Sequence, residues 1–307
     1  MFFRYIKYIF SSLLLGLFQS KSISQRIIHL PNGENIIRYY DFTSDYVQKR
    51  NIDIWLPPTY YSNPTKYFPV LYMNDGQNLF DPNTSYNHLP LQADFCAKHL
   101  IQTNEIEEFI IVGIWNTPLR SREYIPNKIV DLLDPTQKRN LEREFKGKMK
   151  SDDYLKFLVK ELKPFVDKTF KTLSESPYTF ITGVSKGGLI SFYAAMEYPE
   201  IFGGAACLST HWPLSLKRNS PEIAAAICQY LKEKLVLINR PKLYFDYGTI
   251  NLDSWYESYQ QVVDSCLIKA NYPEQLWITK KFEGASHGEL DWRERLHIPF
   301  KFLFQKN

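Results

Sequence analysis

The chain has 307 residues, of which 44% are hydrophobic and 23% charged, a balance too apolar for a disordered tail and too charged for a multi-span membrane protein. Lys and Arg number 37 against 33 Asp and Glu, so the net charge of +4 is small for the length and gives no basic surface of the kind nucleic acid requires. Aromatic residues make up 16%, with 21 Tyr and 21 Phe, which supplies large buried areas and indicates nothing about chemistry.

Residues Met1 to Ser24 start with a cationic stretch (Arg4, Lys7), pass through the apolar run Ile9 to Phe18 and end on the small residues Ser20, Ser22 and Ser24. That order is the layout of a secretory signal peptide, with cleavage expected between Ser20 and Ser24. The apolar run is about half the roughly twenty residues a spanning helix needs, so no stable membrane anchor is expected and the mature chain is expected outside the cytoplasm. All acidic residues lie beyond Ser24, leaving 34 basic and 33 acidic residues after it. Export permits disulfides, yet Cys96, Cys207, Cys228 and Cys266 form no CxxC or ligand-like cluster, and buried thiols with at most one bridge are expected. No metal site is indicated.

From residue 25 to residue 307, apolar runs alternate with amphipathic stretches without a repeat or linker, which indicates a single α/β domain. Strands are predicted over Ile36 to Phe42, Arg50 to Leu56, Phe68 to Met73, Phe109 to Trp115, Tyr178 to Gly183, Gly203 to Leu208, Lys242 to Tyr247 and Gln275 to Phe282. The early ones read as antiparallel edge strands, the later ones as short buried parallel strands separated by helices. Ser151, followed by Asp152 and Asp153, reads as the N-cap of a helix reaching Phe170, and Pro221 opens another. Helices are also predicted over Lys186 to Tyr198, Ser254 to Lys269 and Leu290 to Phe304. The charged stretch Asn127 to Lys150 reads either as a partly mobile cap over a site or as a solvated surface insertion.

Gly183-Val184-Ser185-Lys186-Gly187 stands between a predicted strand and a predicted helix, the context of a nucleophile elbow. Small residues at 183 and 187 leave room for a strained turn that lifts the Ser185 hydroxyl clear of the sheet. The helix opening at Lys186 then offers an unpaired backbone N–H to a developing oxyanion. The serine needs a base, and the partners are sought in the order serine, acid, histidine. His287 lies in the flexible loop Gly284-Ala285-Ser286-His287-Gly288 after the last predicted strand; His211 is the rival, and His297 falls inside the final helix. For the acid, Asp253 sits at a loop end just before a helix, where an N-cap role is the competing reading, and Asp246 on the preceding strand is the alternative.

At this point the sequence resembles the esterase branch of the α/β-hydrolase superfamily, which includes enterochelin esterases, S-formylglutathione hydrolase, feruloyl and acetyl xylan esterases and the antigen-85 mycolyltransferases. The resemblance runs from about Arg50 to Leu296. It is carried by Phe68 to Asp81 with its Asp75-Gly76-Gln77 turn, by Gly113-Ile114-Trp115-Asn116-Thr117 with Arg120, Glu123 and Tyr124, by the elbow, by Tyr244 to Thr249 and by the His287 loop. It implies a mostly parallel central sheet with antiparallel N-terminal strands and helices on both faces. It implies an oxyanion hole built from the N–H groups of Gln77 and Lys186, and a pocket shaped by the Asn116 loop with Arg120 and Glu123, unless those two form only a structural ion pair. His211 and Trp212 are further candidates for the pocket wall. The family usually carries Met after the serine, whereas this chain has Lys186, directed either into the pocket or to solvent. The expectation is an exported serine carboxylic-ester hydrolase acting on a small-molecule or glycan-linked ester without a cofactor. An acyltransferase using the same acyl-enzyme and a non-catalytic binding protein of the same fold are the alternatives.

Overall fold

The computed structural model describes residues 24–236 and 240–306; the segment read as an export signal lies outside these except for Ser24. The described residues build one nine-stranded sheet of order β1-β2-β3-β5-β4-β6-β7-β8-β9. The first three strands, β1 (Gln25–His29), β2 (Asn35–Phe42) and β3 (Arg50–Trp55), run antiparallel. β3 also pairs antiparallel with β5 (Ile110–Ile114), which lies beside β4 (Val70–Asn74). From β5 onward every pairing is parallel, through β6 (Thr179–Val184), β7 (Gly204–Leu208), β8 (Lys242–Gly248) and β9 (Trp277–Phe282). The mixed sheet is therefore the arrangement expected. β1 was not expected: four of its five residues are exposed, so it shows none of the buried alternation by which a strand is recognised.

The central strands β4, β5, β6 and β7 are buried at every position, because both faces of the sheet are covered. One face packs Ile52, Val70, Tyr72, Val112 and Ile181 against residues such as Leu155, Leu189, Ile227 and Val263. The other packs Trp55, Leu71, Met73 and Ile111 against Ala97, Leu100, Phe300 and Phe304. In chain order the helices are α1 (Ala93–Gln102), α2 (Arg120–Tyr124), α3 (Asn127–Asp131), α4 (Pro135–Glu144), α5 (Ser151–Phe157), α6 (Lys163–Thr169), α7 (Lys186–Glu197), α8 (Pro221–Lys234), α9 (Tyr256–Lys269), α10 (Glu289–Arg295) and α11 (His297–Phe304).

Three predicted elements differ from what forms. The helix expected from Ser151 to Phe170 is interrupted by a π-helical turn at Leu158–Leu162. Pro164 follows it, and a proline there has no N–H for the carbonyl four residues back and crowds it, which the wider turn relieves. Ser151 is not the cap but the first helical residue, and it is fully buried. The Asn127 side chain caps the helix from across the chain, its Oδ1 accepting from the Ser151 N–H at 2.8 Å and the Ser151 hydroxyl at 2.7 Å. The helix expected from Leu290 to Phe304 breaks at Leu296, because Pro299 denies a donor to the Arg295 carbonyl. The stretch from 127 to 150 is neither a cap over the site nor a loose insertion. It folds into α3 and α4 and buries Ile129, Val130, Leu141 and Met149 in the core.

All four cysteines are free thiols. Among the described residues, no helix is long and apolar enough to cross a membrane.

Candidate active site

The chain enters the elbow from β6 and leaves it as α7, with Ser185 held at φ 57° and ψ −122° between them. A β-branched or bulky side chain rarely adopts such a positive φ, and a serine held there marks a conformation imposed by its surroundings. A Cβ on Gly183 would lie 2.6 Å from the Gly187 backbone, so glycine at 183 is what lets strand and helix meet this tightly. The Ser185 N–H donates to the Leu208 carbonyl at 2.9 Å and its carbonyl accepts from the His211 N–H at 3.2 Å. The end of β7 thus anchors the turn on both sides.

His287 reaches Ser185 from the loop between β9 and α10. That loop is tied down through the Ala285 carbonyl, which accepts from Thr249 N–H at 2.9 Å and Ile250 N–H at 3.2 Å. His287 Nε2 lies 3.0 Å from Ser185 Oγ, and Nδ1 lies 2.5 Å from Asp253 Oδ1. A carboxylate can only accept here, so Nδ1 carries the proton and Nε2 faces the serine hydroxyl as an acceptor. Asp253 sits in the 3₁₀ turn Asn251–Trp255, and its other oxygen, Oδ2, accepts from Ser209 Oγ at 2.6 Å and the Gly248 N–H at 2.7 Å. Burial raises the affinity of this carboxyl for a proton, but the bonds from His287, Ser209 and Gly248 outweigh that and hold it below the ordinary carboxylate value. Asp253 is therefore not a helix N-cap. The alternative acid, Asp246, lies one layer beneath it, bonded to the Ser209 N–H, Tyr244 and Arg295 and out of contact with His287.

Ser185 and His287 open on a cleft of about 490 Å³, also lined by Asp75, Gln77, Asn116, Arg120, Tyr86 and Trp292. Gln77 lies in the 3₁₀ turn Gly76–Asn78 directly after β4, and Lys186 is the first residue of α7. The N–H groups of such first-turn residues have no acceptor within their own helix. The Gln77 carbonyl accepts from Thr84 Oγ1 at 2.8 Å and its Oε1 from the Asn116 N–H at 3.1 Å, which hold the turn in place. Asp75 receives Arg120 through both Nε (2.6 Å) and Nη2 (2.7 Å), and Asn116 Nδ2 at 2.6 Å.

The structure separates several residues that the sequence grouped with the cleft. Glu123 does not pair with Arg120. It is buried against Arg50 of β3, with bonds of 2.7 and 3.1 Å, because α2 turns it inward while Arg120 projects outward. Trp212 is fully buried behind the cleft, with Nε1 bonded to Gln260 and its ring against Phe192 and Phe245. His211 is likewise buried, its Nδ1 sharing a 2.8 Å hydrogen bond with the Tyr256 hydroxyl, and burial pushes its pKa well down, so it stays neutral. Lys186 points neither into the cleft nor to solvent. Its ammonium is buried, donates to Ser121 Oγ at 2.9 Å and sits 4.5 Å from the centre of the Phe145 ring.

Four residues bonded to or packed against the Ser185–His287–Asp253 chain were not singled out from sequence, Ser209, Tyr256, Trp292 and Arg295, nor was Tyr86 on the cleft wall. Ser209 Oγ accepts from Trp292 Nε1 at 2.9 Å and Arg295 Nη2 at 2.6 Å while donating to Asp253. Of these only Ser209 had a local signal, its place at the end of a predicted strand two residues from His211.

The family model described as "Putative esterase" matches residues 44–281. The uncharacterized protein YbbA of Bacillus subtilis is 27% identical over 164 residues, 53% of this chain and 58% of YbbA. An endo-1,4-beta-xylanase/feruloyl esterase of Xylanibacter ruminicola is 26% identical over 197 residues, covering 61% of this chain and 23% of that protein. This chain thus matches little more than half of one curated relative and a quarter of the other. Among solved structures, an IroE-like serine hydrolase from Shewanella oneidensis aligns with a TM-score of 0.65 at 18% identity, over 92% of this chain and 80% of that one. The fold is the α/β-hydrolase fold.

Proposed function

Because the chain belongs to the esterase family, we propose that it hydrolyses carboxylic esters through an acyl-enzyme on Ser185. In this reading His287 Nε2 takes the Ser185 proton as Oγ attacks the ester carbonyl, then returns it to the leaving alcohol. Asp253 holds the imidazole in the Nδ1–H tautomer and offsets the charge of the imidazolium as it forms. The N–H groups of Gln77 and Lys186 receive the oxyanion, and water repeats the cycle to release the acid. The observation that carries the proposal is the continuous chain Asp253 Oδ1, His287, Ser185 Oγ, at 2.5 and 3.0 Å, opening on a cleft from a strained serine.

The cleft is compact, about 490 Å³, and suits a small ester rather than a long lipid chain; its wall combines polar groups of Asp75, Gln77, Thr84, Ser85 and Asn116 with apolar surface from Val184 and Trp292. Export by way of residues 1–24 belongs to the same proposal, and N-terminal sequencing of protein recovered from outside the cytoplasm tests it.

Ser185→Ala is expected to lower kcat/KM on p-nitrophenyl acetate by about 10⁴-fold or more and to abolish labelling by a fluorophosphonate probe. Retention of full activity in that variant overturns the mechanism.

A further inference from the structure

Beneath the Ser185–His287–Asp253 chain lies a second set of charges that this mechanism does not use. Asp246, on β8, and Arg295, at the end of α10, are both buried, with Arg295 Nη2 3.1 Å from Asp246 Oδ1 and 3.9 Å from Asp253 Oδ2. Asp246 accepts in addition from the Ser209 N–H at 2.9 Å and the Tyr244 hydroxyl at 2.9 Å. Every neighbour of this carboxyl donates to it, which is the surrounding of an ionised group. Ser209 links the two layers, since its N–H bonds Asp246 while its hydroxyl bonds Asp253. It does so at φ 41°, a backbone angle that costs energy in a serine and is held by these contacts.

We propose that Asp246 and Arg295 are positioning residues that set the charge balance under His287, with Ser209 transmitting their placement to Asp253. The inference rests on the reading of Ser185, His287 and Asp253 given above. With a neutral imidazole, the buried group of Asp246, Asp253, Arg295 and His287 carries one excess negative charge. When His287 takes the serine proton, that excess becomes zero. Asp246 therefore favours the imidazolium and Arg295 opposes it, and the pair together leaves Asp253 as the uncompensated charge that faces the imidazole. Without Asp246, the same proton transfer creates a net positive charge in a buried setting, where it is disfavoured.

The other groups facing this cluster do not carry the balance. The Cys207 thiol on β7 is kept neutral by burial, with Asp246 adding to the effect, and the Tyr244 and Tyr256 hydroxyls are likewise held protonated. His211, behind Ser185, stays neutral. Glu289 stands at the open cleft and Asp291 is engaged by Ser286, both on the solvent side of His287. Burial pushes the Asp246 carboxyl up despite Arg295, Ser209 and Tyr244, so Asp246 is the member of the cluster that is neutralised first as the pH falls.

The test is the pH profile of kcat/KM on p-nitrophenyl acetate for Asp246→Asn, which keeps the shape and removes the charge. Its acid limb is expected about one pH unit below that of the unaltered protein, with a lower plateau. The double variant Asp246→Asn/Arg295→Met removes both charges and is expected to return the limb to its original position. Should Asp246→Asn fail to fold, Arg295→Met removes the opposing charge instead, and an acid limb displaced in the other direction is expected. An acid limb that stays in place in the folded single variant, or one that the double variant fails to restore, overturns the proposal. Ser185→Ala serves as the separate control, since activity in that variant sinks the acyl-enzyme reading itself.

Discussion

Lys186 places a cation where the fold gives it little support. It is 2% exposed, has Ser121 Oγ as its hydrogen-bond partner and, among the described residues, forms no ion pair with a carboxylate. Burial lowers its pKa to about 7, and the positive charge of Arg120 adds to the effect, while Glu144 and Asp75 act the other way. Below about pH 7 the folded chain must bury a charge that the unfolded chain keeps in water; between about 7 and 10.5 the unfolded chain binds a proton the folded chain has released. The contribution of this site to stability therefore rises with pH across that window. Lys186→Met, which retains the backbone N–H and most of the packing, is expected to stabilise the protein by about 2 kcal/mol at pH 6 and by much less at pH 9. Urea unfolding of both proteins at the two pH values checks it, and an equal effect at both contradicts it. Sequence alone could not locate this ammonium, because its destination depends on Phe145 and Ser121, which come to it from distant segments. Ser185 and His287, by contrast, were legible from their neighbours: an elbow needs glycine, and the histidine loop is short and small. The choice between Asp253 and Asp246 was harder to read because both end up in one hydrogen-bonded cluster, bridged by a serine that no local pattern marks.

The same contrast holds for elements. Strands buried on both faces, such as β6 and β7, declare themselves as short apolar runs and were predicted to within two residues at each end. The breaks at Leu158–Leu162 and Leu296 were not predicted, because the apolar spacing runs on through Pro164 and Pro299; what ends the regular helix is the donor each proline withholds from the carbonyl four residues back, not a change in side-chain pattern. The cap of α5 was out of reach, because Asn127 supplies it from 24 positions away. One turn shows how closely an element must fit its neighbour. The turn after β4 lies so near β5 that a Cβ on Gly76 would stand 2.5 Å from the Gly113 carbonyl carbon and 2.6 Å from the Ile114 nitrogen. Backbone cannot yield as a side chain does, so Gly76→Ala is expected to displace the turn and with it the Gln77 N–H. A loss of about 10²-fold in kcat, with KM changed far less, is the expected reading, the size seen when one oxyanion donor is removed. Unchanged kcat in this variant would remove Gln77 from the oxyanion hole.

At the scale of the molecule, the antiparallel strands and the parallel sheet are joined under the cleft by a buried ion pair. Arg50 opens β3 and Glu123 lies in α2, the short helix that also presents Arg120 to Asp75; the two side chains are 0% and 1% exposed. The Arg50 guanidinium is further enclosed by the Tyr154 and Phe157 rings, at 5.3 and 5.2 Å. The sequence placed Arg120 and Glu123 three positions apart in the loop after Asn116, where shaping the pocket and pairing with each other were the two readings. Only the packing of α2 against α5 and α7 reveals that each has a partner elsewhere, one inward and one at the cleft. Removing one partner leaves a buried charge without its counter-ion, whereas replacing both leaves an apolar contact. Glu123→Gln is therefore expected to cost about 3 kcal/mol in urea unfolding, and Arg50→Met/Glu123→Leu to recover most of that loss. Activity gives the independent readout. In the single variant α2 loses its inward anchor, so Arg120 and Asp75 are set less firmly and kcat/KM is expected to fall even under conditions where the protein remains folded. In the double variant the helix regains a packed face, and kcat/KM is expected to recover alongside stability. A double variant as unstable as the single one would show that the pair contributes through its hydrogen-bond geometry rather than through the burial of opposite charges.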